Sequence, residues 1–161
     1  AYGGEMKDVI KQCHHMTSDG KLESFTSKKL AFGYRQSIYS LFPSEYCILS
    51  ITVSLAPGNP KEIKCKMDEL YSRRVSKQPL EYPSAGSMFK RPQGAFAGAL
   101  IEQCGLKGYQ IGGAAVSTKH SGFVINRGNA TCEDVRALIA HIQKTVFEHT
   151  GYQLECEVKQ I

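Results

Sequence analysis

The strongest constraint on this chain is a helix signature near its end. Thr131 stands three residues before Asp134. At that spacing a hydroxyl and a carboxylate can satisfy each other's backbone N–H groups at a helix start. Val135, Leu138, Ile139, Ile142 and Val146 then recur at helical spacing, and Gly151 marks the stop. An apolar stripe of this kind needs another layer to cover it. Strands flank it. Residues 122–126 read as one, and residues 152–159 alternate cleanly. There Tyr152, Leu154, Cys156 and Val158 point one way, while Gln153, Glu155, Glu157 and Lys159 point the other. Residues 95–104 form a further helix with Phe96, Leu100, Ile101 and Cys104 on its apolar side, stopped by Gly105. The expected class is α+β, with a compact unit after about residue 80 ordered helix, strand, strand, helix, strand. The glycines of residues 107–117 let backbone approach a ligand or another strand closely.

Upstream, residues 6–17 read as an irregular strand, and Ser18-Asp19-Gly20 as a hairpin turn into a second strand from Lys21. Residues 46–55 are rich in β-branched and apolar types and are expected to form a buried strand. Asn59 is a natural N-cap, Pro60 suits the first helical position, and Glu62 falls at the capping-box position. Ile63, Met67, Leu70 and Tyr71 then define a face expected to be buried. Gln78-Pro79 ends this helix, and the domain boundary is placed there, giving 1–79 and 80–161.

Composition narrows the function classes. Apolar residues make up 42% and charged residues 22% of 161, an ordinary globular balance. A net charge of +5 suits a phosphate-bearing small molecule, without the Lys/Arg stripes of a nucleic-acid binder. No apolar run reaches membrane-spanning length, and the N-terminus has no signal-peptide pattern. Cys13, Cys47, Cys65, Cys104, Cys132 and Cys156 form no close pair, which argues against a zinc site or a disulfide framework. They read as buried small apolar residues in a reducing compartment, with the cytoplasm as the expected location. His14-His15 reads as exposed strand residues with no ligand spacing around it. Nothing sets an oligomeric state.

Chemistry concentrates in Pro83-Ser84-Ala85-Gly86-Ser87-Met88-Phe89-Lys90-Arg91-Pro92. Prolines fix both ends, and Gly86 permits a sharp turn that exposes Ser87. Lys90 and Arg91 add positive charge suited to an anionic ligand. A plain surface turn is the alternative. Arg35, between Gly33-Tyr34 and Gln36-Ser37, is held by glycine and aromatic neighbours or is a surface arginine. Without a His–Asp pattern or a GxSxG elbow, Ser87 suits proton donation better than nucleophilic attack. Glu157 and Lys119 complete the candidates, and spacing alone cannot bring residues 35, 87 and 157 together.

PSAGSMFKRP, LIEQCGLKGYQIGGAAVSTKHSGFVIN, NATCEDV and LECEV, in that order, resemble the C-terminal half of the UDP-N-acetylenolpyruvoylglucosamine reductase (MurB) family. AYGGE and FGYRQS resemble its preceding flavin-binding region, and the shorter form of the family, without an additional tyrosine-bearing loop, fits best. The resemblance implies the rear of a flavin-binding α+β domain followed by a small α+β substrate-binding domain. It implies FAD reduced by NADPH, and hydride transfer to the enolpyruvyl group of a UDP-sugar in peptidoglycan precursor synthesis. By the same resemblance, Arg35 and a protonated Glu157 stabilise charge on the substrate carboxylate, and Ser87 delivers a proton to the adjacent carbon. Lys90, Arg91 and Lys119 fall at positions suited to the substrate's phosphates, and Tyr2, Gly3 and Gly4 at the cofactor side. LECEV selects Glu157 over Glu155.

The family's earlier glycine-rich FAD segments do not precede AYGGE here, so a fragment that binds no FAD tightly and lacks activity alone is expected. The competing class is a non-catalytic UDP-sugar-binding module.

Overall fold

A computed structural model describes residues 2–159. The chain divides into two compact units, with the division between Lys66 and Met67.

The first unit is built on a three-stranded antiparallel sheet. A 3-10 turn, Met6–Asp8, leads into β1 (Ile10–Thr17), and the turn at residues 18–20 returns the chain as β2 (Leu22–Thr26). A second 3-10 turn (Ser27–Leu30) and the short helix α1 (Ile38–Leu41) precede β3 (Tyr46–Val53), so the strand order is β2-β1-β3. Alternation puts Cys13 and His15 of central β1 on the covered face. His15 is fully buried among the rings of Phe25, Tyr39 and Tyr46, at centroid distances of 4.4, 5.5 and 4.9 Å. The expectation of an exposed His14-His15 pair therefore holds only for His14. Strand parity puts the two neighbours on opposite faces, and residue spacing alone does not say which face is covered.

The strand over residues 46–55 forms, as β3, but it is not buried. Leu49 and Ile51 are 54% and 48% exposed. It lies at the sheet edge, with β1 its only partner among the described residues.

Helix α2 (Pro60–Lys77) starts as expected, with Asn59 Oδ1 accepting from Lys61 N–H at 2.9 Å. Its periodic face, however, is uncovered: no residue of α2 is buried, and Met67 and Tyr71 are 61% and 66% exposed. Periodicity fixes which side chains share a face, while burial needs a partner layer.

The second unit carries a four-stranded antiparallel sheet ordered β4-β7-β6-β5, made from β4 (Ser84–Ser87), β5 (Gln110–Ile111), β6 (Ala114–Val116) and β7 (Phe123–Asn126). Helix α3 (Ala97–Gln103) lies between β4 and β5, and α4 (Cys132–Thr150) follows β7. The capping pair behaves as read. Thr131 Oγ1 accepts from Asp134 N–H at 3.1 Å, and Asp134 Oδ2 accepts from Thr131 N–H at 2.9 Å. Gly151 closes α4 at φ 74°. Leu138, Ile139, Ile142 and Val146 are buried against Leu100, Ile101, Val116, Val124 and Leu154. That shared interior is the core of the unit.

Three details differ from expectation. Phe96 is exposed just before α3 instead of lying on its apolar side. Residues 152–156 keep their alternation, with Leu154 buried and Glu155 exposed, but Cys156, Glu157 and Val158 are all half-buried, and among the described residues only a Phe89–Cys156 bridge stands in place of the expected last strand after α4. Cys47, Cys65 and Cys132 are exposed, and of the six thiols only Cys13 is fully buried. Among the described residues, no helix is long and apolar enough to cross a membrane.

Candidate functional site

Of the predicted site residues, Gly4 and Arg35 line a cavity in the first unit and Ser87 one in the second, while Lys90, Arg91, Lys119 and Glu157 line neither. The second unit's is built around Ser87, the last residue of β4. Register there is irregular. Ser84 pairs with Ile125 and Ser87 with Phe123, three steps along β4 against two along β7. The extra residue is a bulge, and Gly86 sits in it at φ 82°, a conformation costly to any residue with a Cβ. The bulge presents Ser87 to solvent while its neighbours Met88 and Phe89 go into the core.

Those buried neighbours also tether the C-terminal segment. Met88 N–H donates to the Gly122 carbonyl, and the Met88 carbonyl accepts from Glu157 N–H, both at 2.9 Å. Lys90 N–H donates to the Glu155 carbonyl at 2.8 Å. The structure thus brings Glu157, half-buried, alongside the Ser87 turn. Glu155, on the exposed side, forms an ion pair with Lys90. Between these two carboxylates, burial and then the Glu155 charge push the Cys156 thiol above its ordinary range, so it stays protonated at neutral pH.

Of the other predicted cations, Lys119 Nζ lies 3.4 Å from Glu81 Oε2, and Arg91 stacks over the Phe96 ring at 3.9 Å from its centroid. Lys119 backs the Ser117–His120 turn, whose N–H groups at 119 and 120 donate to Ser117 Oγ. The cavity at Ser87 has a volume of about 450 Å³, and its walls include Arg74, Gln78, Tyr82 and Phe123. Sequence reading missed Arg74 and Gln78. Their one available signal was position: both lie at the end of a capped helix that leads directly into the serine turn.

The first unit's cavity measures about 1050 Å³ and is lined by residues 4–9 and 32–36. It brings Gly4 of the N-terminal motif to the same space as Arg35. A tight turn aims that arginine. Gln36 N–H donates to the Gly33 carbonyl at 3.2 Å, and Gly33 N–H donates back to Gln36 at 3.0 Å. Arg35 takes φ 54° within the turn, an uncommon conformation for a residue with a Cβ, and its guanidinium lies 5.1 Å from the Tyr34 ring centroid. Backbone strain of this kind is concentrated at functional positions. Arg35 belongs to the first unit, and Ser87 and Glu157 to the second. Tyr2 and Gly3, the other residues expected on the cofactor side, are exposed, with Gly3 at φ 87°.

Residues 78–161 match the family described as UDP-N-acetylenolpyruvoylglucosamine reductase, C-terminal domain. Over 161 residues the chain is 53% identical to the UDP-N-acetylenolpyruvoylglucosamine reductase of Clostridium perfringens (strain 13 / Type A), covering all of this chain and 52% of that protein. The reductase of Caldanaerobacter subterraneus subsp. tengcongensis is 53% identical over 159 residues, covering 99% and 52%. The chain thus spans about half the length of the curated relatives it matches. The crystal structure of UDP-N-acetylenolpyruvylglucosamine reductase (MurB) from Thermus caldophilus superposes with a TM-score of 0.82 at 32% identity, covering 99% of this chain and 55% of that one. Sequence and fold agree over both units, and the chain belongs to the UDP-N-acetylenolpyruvoylglucosamine reductase family.

Proposed function

We propose that this chain is the C-terminal half of a cytoplasmic, NADPH-dependent flavoenzyme that converts UDP-N-acetylglucosamine enolpyruvate to UDP-N-acetylmuramate in peptidoglycan synthesis. The observation that carries the reading is the backbone tether between the Ser87 turn and the Glu157 segment, which brings these two stretches of chain together in one unit. Residues 80–161 serve as the substrate-binding domain and residues 1–79 as the rear of the cofactor domain.

The first unit's cavity fits the edge of a flat, apolar cofactor. Met6, Val9 and Phe32 supply apolar surface, Gly4 lines the same space without a side chain, and Arg35 adds one cationic edge. Tyr2, Gly3 and Gly4 would lie against FAD. When bound, FAD reduced by NADPH supplies the hydride. Arg35 and a protonated Glu157 stabilise the negative charge that gathers on the substrate carboxylate. Ser87 gives its hydroxyl proton to the neighbouring carbon, so hydride and proton together saturate the double bond. Lys90, Arg91 and Lys119 draw the substrate's diphosphate, with Glu155 the resting partner of Lys90 and Glu81 that of Lys119. Donors preorganised toward developing charge are often the largest catalytic contribution.

The alternative, a non-catalytic sugar-binding module, is not favoured, because the relatives that match this chain along its whole length are named as the reductase. The test is the whole protein, purified and assayed with NADPH and the enolpyruvyl UDP-sugar. Flavin absorbance and stoichiometric formation of the muramate are expected. A colourless protein that binds the UDP-sugar without turnover sinks the reading.

A further inference from the structure

The cavity beside Ser87 has a wall that the chemistry above leaves unused. Arg74 lies in the last turn of α2, and Gln78 follows one helical turn later. Gln78 N–H donates to the Arg74 carbonyl at 2.9 Å, continuing the helical bonding beyond the named end of α2. The side chains meet as well, with Arg74 Nε donating to Gln78 Oε1 at 3.0 Å. That bond uses the acceptor of the Gln78 amide and one edge of the guanidinium. It leaves the amide NH₂ and the Nη nitrogens as donors. Gln78 is half-buried and Pro79 fully buried, so the wall is anchored at its base.

Both residues line the same space as Ser87, and none of the described residues lining it is an Asp or Glu. A guanidinium and an amide facing a cavity without acid suit one oxoanion with two acceptor oxygens. We propose that Arg74 and Gln78 form an oxoanion clamp, which positions the carboxylate or phosphate of the UDP-sugar ligand that Ser87 protonates. The clamp rests on the reading of Ser87 given above.

The test uses the whole protein and calorimetric binding of two probes. UDP-N-acetylglucosamine carries the diphosphate alone, and UDP-N-acetylmuramate carries diphosphate and carboxylate. Arg74→Ala is expected to weaken binding by about tenfold to a hundredfold, as loss of a charge-assisted donor does. Arg74→Lys keeps the charge without the fork and recovers part of that loss. Gln78→Glu keeps an acceptor for Arg74 Nε, so the wall retains its shape, yet it replaces a donor with a negative charge and must also lose affinity. Loss for both probes assigns the phosphate, and loss for the muramate alone assigns the carboxylate. Either supports the clamp. Wild-type affinity in Gln78→Glu overturns it, whatever Arg74→Ala does, because Arg74 would then be holding the wall and not the ligand. If the unmodified protein binds neither probe, the Ser87 reading falls and takes the clamp with it.

Discussion

Glu157 donates its backbone N–H to the Met88 carbonyl at 2.9 Å, and that bond sets Glu157 beside Ser87 across sixty-nine intervening residues' worth of chain. Because it is a main-chain bond, a side-chain substitution at either position leaves the tether in place. The two proposed roles can therefore be tested separately.

Replacing Ser87 by Ala in the whole protein should leave flavin reduction by NADPH nearly intact and slow reduction of the enolpyruvyl substrate by about a hundredfold or more. The serine's proton is needed only after hydride transfer begins. Stopped-flow absorbance resolves the two half-reactions, and equal loss in both would make the residue structural.

The chain alone should bind an apolar dye and show no tight FAD binding. Leu49, Ile51 and Val53 share one side of β3, and Ile63, Met67 and Tyr71 recur along α2, all exposed. The Ile51→Lys, Met67→Lys double variant should lose dye fluorescence without a lower melting temperature. Ordering exposed Tyr2 and Gly3 around a ligand costs roughly 1–2 kcal/mol per residue with few compensating contacts. Saturable FAD binding in a micromolar titration would contradict the second half.

His15 and Tyr39 should be energetically coupled. Tyr39 Oη lies 3.0 Å from His15 Nδ1, while His15 Nε2 has no hydrogen-bond partner among the described residues although it is buried. Desolvation, and then a bond to the Cys13 sulfur, raises the Tyr39 hydroxyl well above the usual phenol range, so it stays neutral. His15→Phe and Tyr39→Phe each orphan one partner, whereas the double variant orphans neither. Denaturant unfolding should return a coupling of about 0.5–1.5 kcal/mol. Additive losses would show that the bond contributes nothing.

Asp134 should make the stability of the second unit acid-sensitive. Bonds from Thr131 N–H, and then from Gly113 N–H at 3.2 Å, hold its carboxyl below the usual aspartate range. Its folded-state pKa is thus depressed. The contribution is complete above the unfolded value of about 3.9 and disappears as pH falls through the lower folded value. Melting followed from pH 6 down to about pH 2.5 should steepen below about pH 4. Asp134→Asn should flatten that fall while lowering stability at pH 6. An unchanged profile would remove Asp134 from the account.

The sequence by itself determined what depends on near neighbours. The Thr131–Asp134 cap, the α4 face, the Asn59 cap, the hairpin at residues 18–20 and the Gly86 turn are each set within a few residues, and all are present. Their physics is local: caps, periods and positive φ are properties of short segments. Tertiary structure decided which of those faces are covered. It buried His15 and left β3 and the α2 stripe exposed, because burial depends on a second layer that no periodicity names. It also decided which candidate segments adjoin. The resemblance named Ser87, Arg35 and Glu157, but only the main-chain bonds of Met88 to Glu157 and Gly122 show that the segments carrying Ser87 and Glu157 run next to each other. Arg74 and Gln78 carry no motif at all, and only the fold of the chain at Pro79 turns that helix end toward the serine.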